Sequence, residues 1–154
     1  MPATITSIVL TKRKIDLVRD LPGFPGARHF SLEPLNEGDS IFARLRCTDT
    51  VRMTTGLGID NLVLMVVSPG AIWPDYSVSI DDATAKLLGL ANADDALLLA
   101  VVHLRVPLTK STVNLYSPIV VNLTTGQADQ IVPSATEKEL GWSVRTEFPS
   151  QIGN

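Results

Sequence analysis

Cysteine occurs once in this 154-residue chain, at Cys47, so no intrachain disulfide can form and the fold is not a stapled one. A reducing compartment is the economical reading of such thiol use. Histidine is nearly as scarce: His29 and His103 are the only two, and neither stands in a metal-ligand spacing. Aromatic residues make up 5% of the chain, which leaves its core to aliphatic side chains. Positive charge is also short. Thirteen Lys and Arg against 16 Asp and Glu give a net charge of -3, which argues against direct nucleic-acid binding, because neutralising phosphates takes clustered cations. The one basic run, Lys12-Arg13-Lys14, reads as a solvated strand end or turn. Long apolar runs are missing as well. Residues 62–73 and 96–106 are broken by Ser68, Pro69 and Gly70 or by His103 and Arg105, and both fall short of the ~20 residues that span a bilayer as a helix.

What is present is enough for one ordinary domain, with 45% hydrophobic and 19% charged residues. Its periodicity is mostly that of strands. Ile41, Ala43, Leu45 and Cys47 alternate with Arg44 and Arg46, the pattern of a strand with one buried and one wet face. Residues 3–10 and 76–80 read the same way. Residues 62–67 and 96–102 have no polar side, which predicts strands covered on both faces at the centre of the core. Leu21-Pro22-Gly23-Phe24-Pro25-Gly26 is a turn cluster, and Thr124-Thr125-Gly126 predicts a hairpin with glycine in a left-handed position. A single short helix is expected: Asp81 or Asp82 caps it, residues 83–88 form it, Leu87 and Leu88 hold it to the sheet, and Gly89 ends it. Past Pro133 the strand pattern is lost, so the expected organisation is one β domain over residues 1–132 and a loosely held extension over 133–154.

Catalytic and metal chemistry find no support in these residues. Cys47 shares an apolar face with Leu45 and Ala43 and reads as an inert buried thiol; His103, after Val101 on one side of a strand, reads as a hydrogen-bonded histidine at the core margin. Helix capping accounts for Asp81 and Asp82, and turn solvation for Asp94 and Asp95. Gly56-Leu57-Gly58 lacks the remaining glycines of a phosphate loop and is read as a turn. No catalytic residue, cofactor site or metal site is expected, and no nucleophile elbow accompanies any Ser or Cys. The amino terminus, Met1-Pro2-Ala3-Thr4-Ile5-Thr6, lacks the basic start and apolar stretch of a signal peptide, which sets the expectation of a cytoplasmic protein.

One ordered set of motifs is far more specific. Ile15-Asp16-Leu17 precedes Asp20-Leu21-Pro22-Gly23-Phe24; Phe30-Ser31-Leu32-Glu33-Pro34-Leu35 follows, then Leu45-Arg46-Cys47, Pro74-Asp75-Tyr76, Leu88-Gly89, Asn114-Leu115 and Pro118-Ile119-Val120-Val121-Asn122. In order and spacing this succession resembles the FliW family of flagellar assembly factors across residues 15–132. Departures are Asp20, where the family turn begins with glycine, and residues 48–61, longer than the family's usual tight connection and read as an extended hairpin or surface loop.

The resemblance implies a mainly β fold, an antiparallel β-barrel or a two-sheet barrel-like domain with one short helix. It also implies a non-enzymatic, cytoplasmic regulator; a monomer is the expected state. Family members bind the RNA-binding translational regulator CsrA, antagonise it allosterically and noncompetitively, and so relieve repression of flagellin messenger RNA. They bind flagellin in alternation, and flagellin export frees them to capture CsrA again. Phe24, Trp73 and Tyr76, at turns or strand starts, are the candidate partner-binding residues, since aromatic side chains anchor interfaces through large buried areas; plugging the ends of a barrel is the structural alternative for the same three. A small-ligand-binding β-barrel is the competing functional class, distinguished by a roomy apolar cavity with a few convergent polar groups.

Overall fold

The computed structural model describes residues 2–3, 9–35, 40–52, 58–59, 61–133 and 135–149. In chain order the strands are β1 (Pro2–Ala3), β2 (Arg13–Leu17), β3 (His29–Pro34), β4 (Phe42–Cys47), β5 (Val51–Arg52), β6 (Gly58–Ile59), β7 (Val63–Val67) and β8 (Val78–Ser79). Helix α1 (Asp82–Leu87) follows, then β9 (Ala96–His103), β10 (Thr112–Asn122), β11 (Gln127–Gln130), the one-turn helix α2 (Glu137–Leu140) and β12 (Thr146–Glu147). Most of the strand expected over residues 3–10, and Gly56 and Leu57 of the expected turn, lie outside the described residues. Of residues 76–80 only Val78 and Ser79 are strand, paired with β1. Within residues 48–61, β5 and β6 pair as a short antiparallel ladder.

Seven strands close a barrel in the order β2, β3, β4, β7, β9, β10, β11, with β11 returning to β2. Successive strands alternate in direction, and an odd number of them leaves one like-directed pair where the ring meets itself. That seam is β11 with β2, parallel through Gln127 opposite Asp16 and Ala128 opposite Leu17; the other six pairings are antiparallel. The expected mainly β, antiparallel barrel is what the chain forms, and closure removes the open edges a flat sheet would expose.

Alternation along the strands sorts side chains into two cores. The inner one takes Ile15 and Leu17, Phe30 and Leu32, Ala43, Leu45 and Cys47, Val66, Leu97 and Leu99, Ile119 and Val121, and Ala128, so every barrel strand contributes and the lumen is filled by apolar side chains. The outer one lies on the far face of the wall made by β7, β9 and β10, where Val67, Leu98, Ala100, Val102, Val113, Leu115 and Val120 pack under Tyr76, Ile80, Ala85, Leu88 and Leu90. Burial from both sides explains the unbroken apolar run of β9, whose first five residues are all buried. β7 differs from expectation: only Val66 and Val67 are buried, and Val63, opposite Arg46 on the outer face, is exposed. His103 also differs, being exposed at the last residue of β9.

Short-range chemistry places the elements that cover this wall. The Asp81 carboxylate accepts from the Thr84 amide at 2.7 Å and caps α1, while Gly89 leaves the helix at φ +68°. Ala85 and Leu88, three residues apart on one helix face, are buried; Leu87 lies off that face and is exposed, so it does not hold the helix to the sheet as expected. Asn122, buried at the end of β10, donates from Nδ2 to the Leu88 carbonyl at 2.7 Å and accepts at Oδ1 from the Thr124 amide at 2.8 Å, which joins the helix end to the β10–β11 turn.

Asn114 and Pro118 bend β10 in the middle. The Asn114 side chain accepts from the amides of Tyr116 and Ser117 at 3.1 and 3.0 Å, and the register on β9 jumps between Asn114 and Ile119. Proline fits such a bulge because it has no amide to place in a ladder. The second half of β10 pairs with β11, whereas the first half pairs with β12, through Thr112 opposite Glu147 and Val113 opposite Thr146. The segment between them contributes a second short helix, α2, capped reciprocally by Thr136 and Glu139 and ended by left-handed Gly141.

Candidate functional site

The outer wall carries the concave surface, and local sequence builds its floor. Tyr76 is buried beneath it, donates from its hydroxyl to the Leu115 carbonyl at 2.7 Å, and meets the Trp142 ring edge-on at 5.0 Å. Burial pushes the Tyr76 phenol well above its ordinary pKa, so it stays a neutral donor. Trp73, half-buried, lies 5.9 Å from the ring of Phe148, which is 6.0 Å from that of Phe42. The residues following β11 therefore complete an aromatic layer that residues 73–76 begin.

Beside that layer runs a groove of about 1020 Å³ between α1, the stretch after β11 and α2. Leu87, Val132 and Leu140 line it and remain exposed, with Ile131, Leu115 and Trp142 among the residues beneath. Tyr116 positions one wall: its hydroxyl donates to the carbonyls of Ala135 at 2.6 Å and Pro133 at 3.3 Å. Tyr116, within the bulge at residues 114–118, thus ties β10 to the stretch after β11.

Charge around this groove is one-sided. Asp20, Asp81, Asp129 and Glu139 line it against a single cation, Arg19. The Arg28 guanidinium beside Asp20 holds that carboxyl below its usual range, as the Thr84 amide does for Asp81 and the Thr136 amide for Glu139. Asp129 is nearly buried and paired with Arg19, whose own pKa the pair raises. All three capped or paired carboxyls with lowered values are ionised at neutral pH.

The three aromatic candidates are not one site. Trp73 and Tyr76 belong to the outer layer, Tyr76 as a buried support. Phe24 packs instead on the inner core, in a double turn where its amide donates to the Leu21 carbonyl and its carbonyl accepts from Ala27. Sequence reasoning missed Leu87, Val132, Leu140 and Trp142. Leu87 was in the expected helix, where a helical wheel places it off the buried face, and Val132 ended the second strand of the expected hairpin; Leu140 and Trp142 sit in a segment with no period. Among the described residues, no three His, Cys, Asp or Glu side chains come together as a metal site, and no helix is long and apolar enough to cross a membrane.

A filled seven-stranded barrel with a helix and a carboxy-terminal segment laid on one wall, and an open groove between them, defines a class of small β-barrel domain whose concave surface is outside the barrel. The family model described as FliW protein matches residues 5–145. Flagellar assembly factor FliW of Bacillus licheniformis is 35% identical over 112 residues, 73% of this chain and 71% of that protein. The Bacillus subtilis protein of the same description is 34% identical over 112 residues, with the same coverage, and that of Clostridium novyi 30% identical over 118 residues, 77% of this chain and 76% of its own. The fold is shared with a crystal structure of the flagellar assembly factor FliW at a TM-score of 0.70 and 22% identity, over 97% of this chain and 98% of that one. The chain belongs to the FliW family of flagellar assembly factors.

Proposed function

We propose that this chain is a cytoplasmic regulator of flagellum assembly that acts by binding proteins and performs no reaction. It captures the translational regulator CsrA outside the RNA-binding surface, relieves repression of flagellin messenger RNA, and binds flagellin in alternation as flagellin accumulates. The observation that carries this reading is the family match over residues 5–145, together with relatives described as flagellar assembly factors. Such a switch needs the two complexes to differ little in free energy, since ~1.4 kcal/mol already changes the preference tenfold. A modest net charge of -3 makes electrostatic steering toward a basic regulator an accessory to contact. The lumen occupied by side chains from all seven strands favours protein binding over the small-ligand-barrel alternative.

Titration calorimetry of the purified chain against CsrA and flagellin from the same organism tests the proposal. Saturable binding of each, and displacement of one by the other, is expected; absence of binding to both defeats it. Within this reading the half-buried Trp73 borders a partner face and Tyr76 supports it from below. Folded Trp73→Ala and Tyr76→Ala variants that bind both partners with unchanged affinity would remove that assignment, and Phe24→Ala tests the remaining aromatic candidate in the same titration.

A further inference from the structure

Groove composition and groove shape point to a particular kind of occupant. Of the nine large aliphatic side chains exposed among the described residues, three, Leu87 at 50% exposure, Val132 at 72% and Leu140 at 41%, line this one groove. They come from three different segments, so they surround a space and do not form a strip that a single helix happened to leave wet. Isolated exposed aliphatics need no explanation, but convergence of this kind marks an interaction surface.

Strand addition does not suit the site. β11, which leads into the groove wall, is bonded to β10 and, through Gln127 and Ala128, to β2, and β8, which also lines the groove, is a strand of only two residues paired with β1, too short a ladder to extend. In volume the groove, at about 1020 Å³, is comparable to two turns of helix, a cylinder about 10–12 Å across occupying about 800–1,200 Å³. Of the four carboxylates around the apolar centre, Asp129 is paired with Arg19 and Asp20 with Arg28, whereas Asp81 and Glu139 make no ion pair among the described residues. The complementary surface is therefore an aliphatic stripe with Lys or Arg beside it.

We propose that the groove bounded by Leu87, Val132 and Leu140 docks a basic amphipathic helix of a partner protein. This rests on the protein-binding reading above and adds the surface and the chemistry of what it accepts. Leu87, Val132 and Leu140 contact the helix's aliphatic stripe, and Asp81 and Glu139 meet the flanking cations.

Fluorescence anisotropy with a labelled Leu/Lys peptide of about 18 residues, five helical turns, tests it on the full chain. A permuted peptide of identical composition and charge, with its aliphatic residues spread around the helix, is the control. The amphipathic peptide is expected to bind at least about tenfold tighter than the permuted one. Val132→Asp and Leu140→Asp, both at exposed positions, should each remove about that factor, whereas Val106→Asp, at the 97% exposed Val106 in the loop after β9, should not. Raising salt from about 0.05 to 0.5 M should weaken binding severalfold. Equal affinity for the two peptides, or equal loss from Val106→Asp and Val132→Asp, overturns the proposal. Concentration-dependent dimerisation in sedimentation that Val132→Asp abolishes also overturns it, by making a second copy the occupant. Calorimetry with CsrA and flagellin reads the parent proposal separately: partners that bind while the peptide does not leave that reading standing and remove only the groove.

Discussion

Replacing Gly126 with alanine should test barrel closure more directly than any core truncation. Gly126 turns β10 into β11 at φ +79°, and its carbonyl accepts from the Asp16 amide at 2.9 Å across the parallel seam. A Cβ built there lies 2.7 Å from the backbone carbonyl oxygen of Lys14 on β2, an atom that cannot swing aside. Two costs therefore add. The left-handed conformation costs a non-glycine residue about 1–2 kcal/mol, less the ~0.4–1 that alanine recovers by restricting the unfolded chain. Forcing β2 away from β11 adds about 1–3 kcal/mol, the usual range for overpacking. The sum, about 1–4.5 kcal/mol, is a large share of the ~5–15 kcal/mol that holds a domain folded. Gly23 and Gly141 supply internal controls, because both have positive φ, at +86° and +80°, and neither has an atom within 4 Å of the added Cβ. Their alanine variants should show only the first cost, about 0–1.5 kcal/mol. Urea unfolding of all three variants at constant m-value measures the differences. If Gly126→Ala costs no more than Gly141→Ala, the close approach of the turn to Lys14 is not part of the fold, and the seam between β11 and β2 is misplaced.

Other residues give equally specific outcomes. Tyr76→Phe leaves the buried Leu115 carbonyl without its 2.7 Å donor and should cost about 1–3 kcal/mol in urea unfolding while preserving the strand signal in circular dichroism. Asn122→Asp replaces the donor to the Leu88 carbonyl with a charged oxygen in a buried site, and at pH 7 should destabilise by about 2–4 kcal/mol, recovering in part as acid protonates it. For Asp49, burial alone would raise the carboxyl pKa, but the amides of Arg28 and His29 and the His29 ring bring it below its ordinary value. A depressed carboxyl stabilises above its unfolded pKa and loses that contribution as pH falls through the folded one; Asp49→Asn should therefore be less stable than the parent at pH 7, with the gap closing below about pH 4. Burial raises the Cys47 thiol pKa, so this group should resist thiol reagents in the native chain and react promptly in urea; fast native labelling would contradict its place in the inner core.

The one-dimensional pattern of residues settled a good deal. Alternation at 41–47 placed Ala43, Leu45 and Cys47 inside and Arg44 outside, because a strand's two faces are decided locally by its period of two. The Asp81 cap, the left-handed Gly89 and Gly126, and the β10–β11 hairpin were legible for the same reason: each is governed by the chemistry of two to four neighbouring residues. Motif order identified the family because those motifs include the turns and the bulge that define the fold, notably Asn114 through Pro118.

Tertiary structure alone decided how many strands closed the ring, since strand count and the parallel seam arise from pairings between residues more than a hundred positions apart, such as Asp16 with Gln127. It also decided what covers β9 from outside, why Leu87 is wet, and that residues 73–76 lie under Trp142 and near Phe148. The groove was invisible beforehand because its walls come from α1, the end of β11 and α2, none of which has an apolar period pointing toward the others. A concave surface is a relation between segments, set by which faces are buried when the chain packs, and no local pattern encodes it.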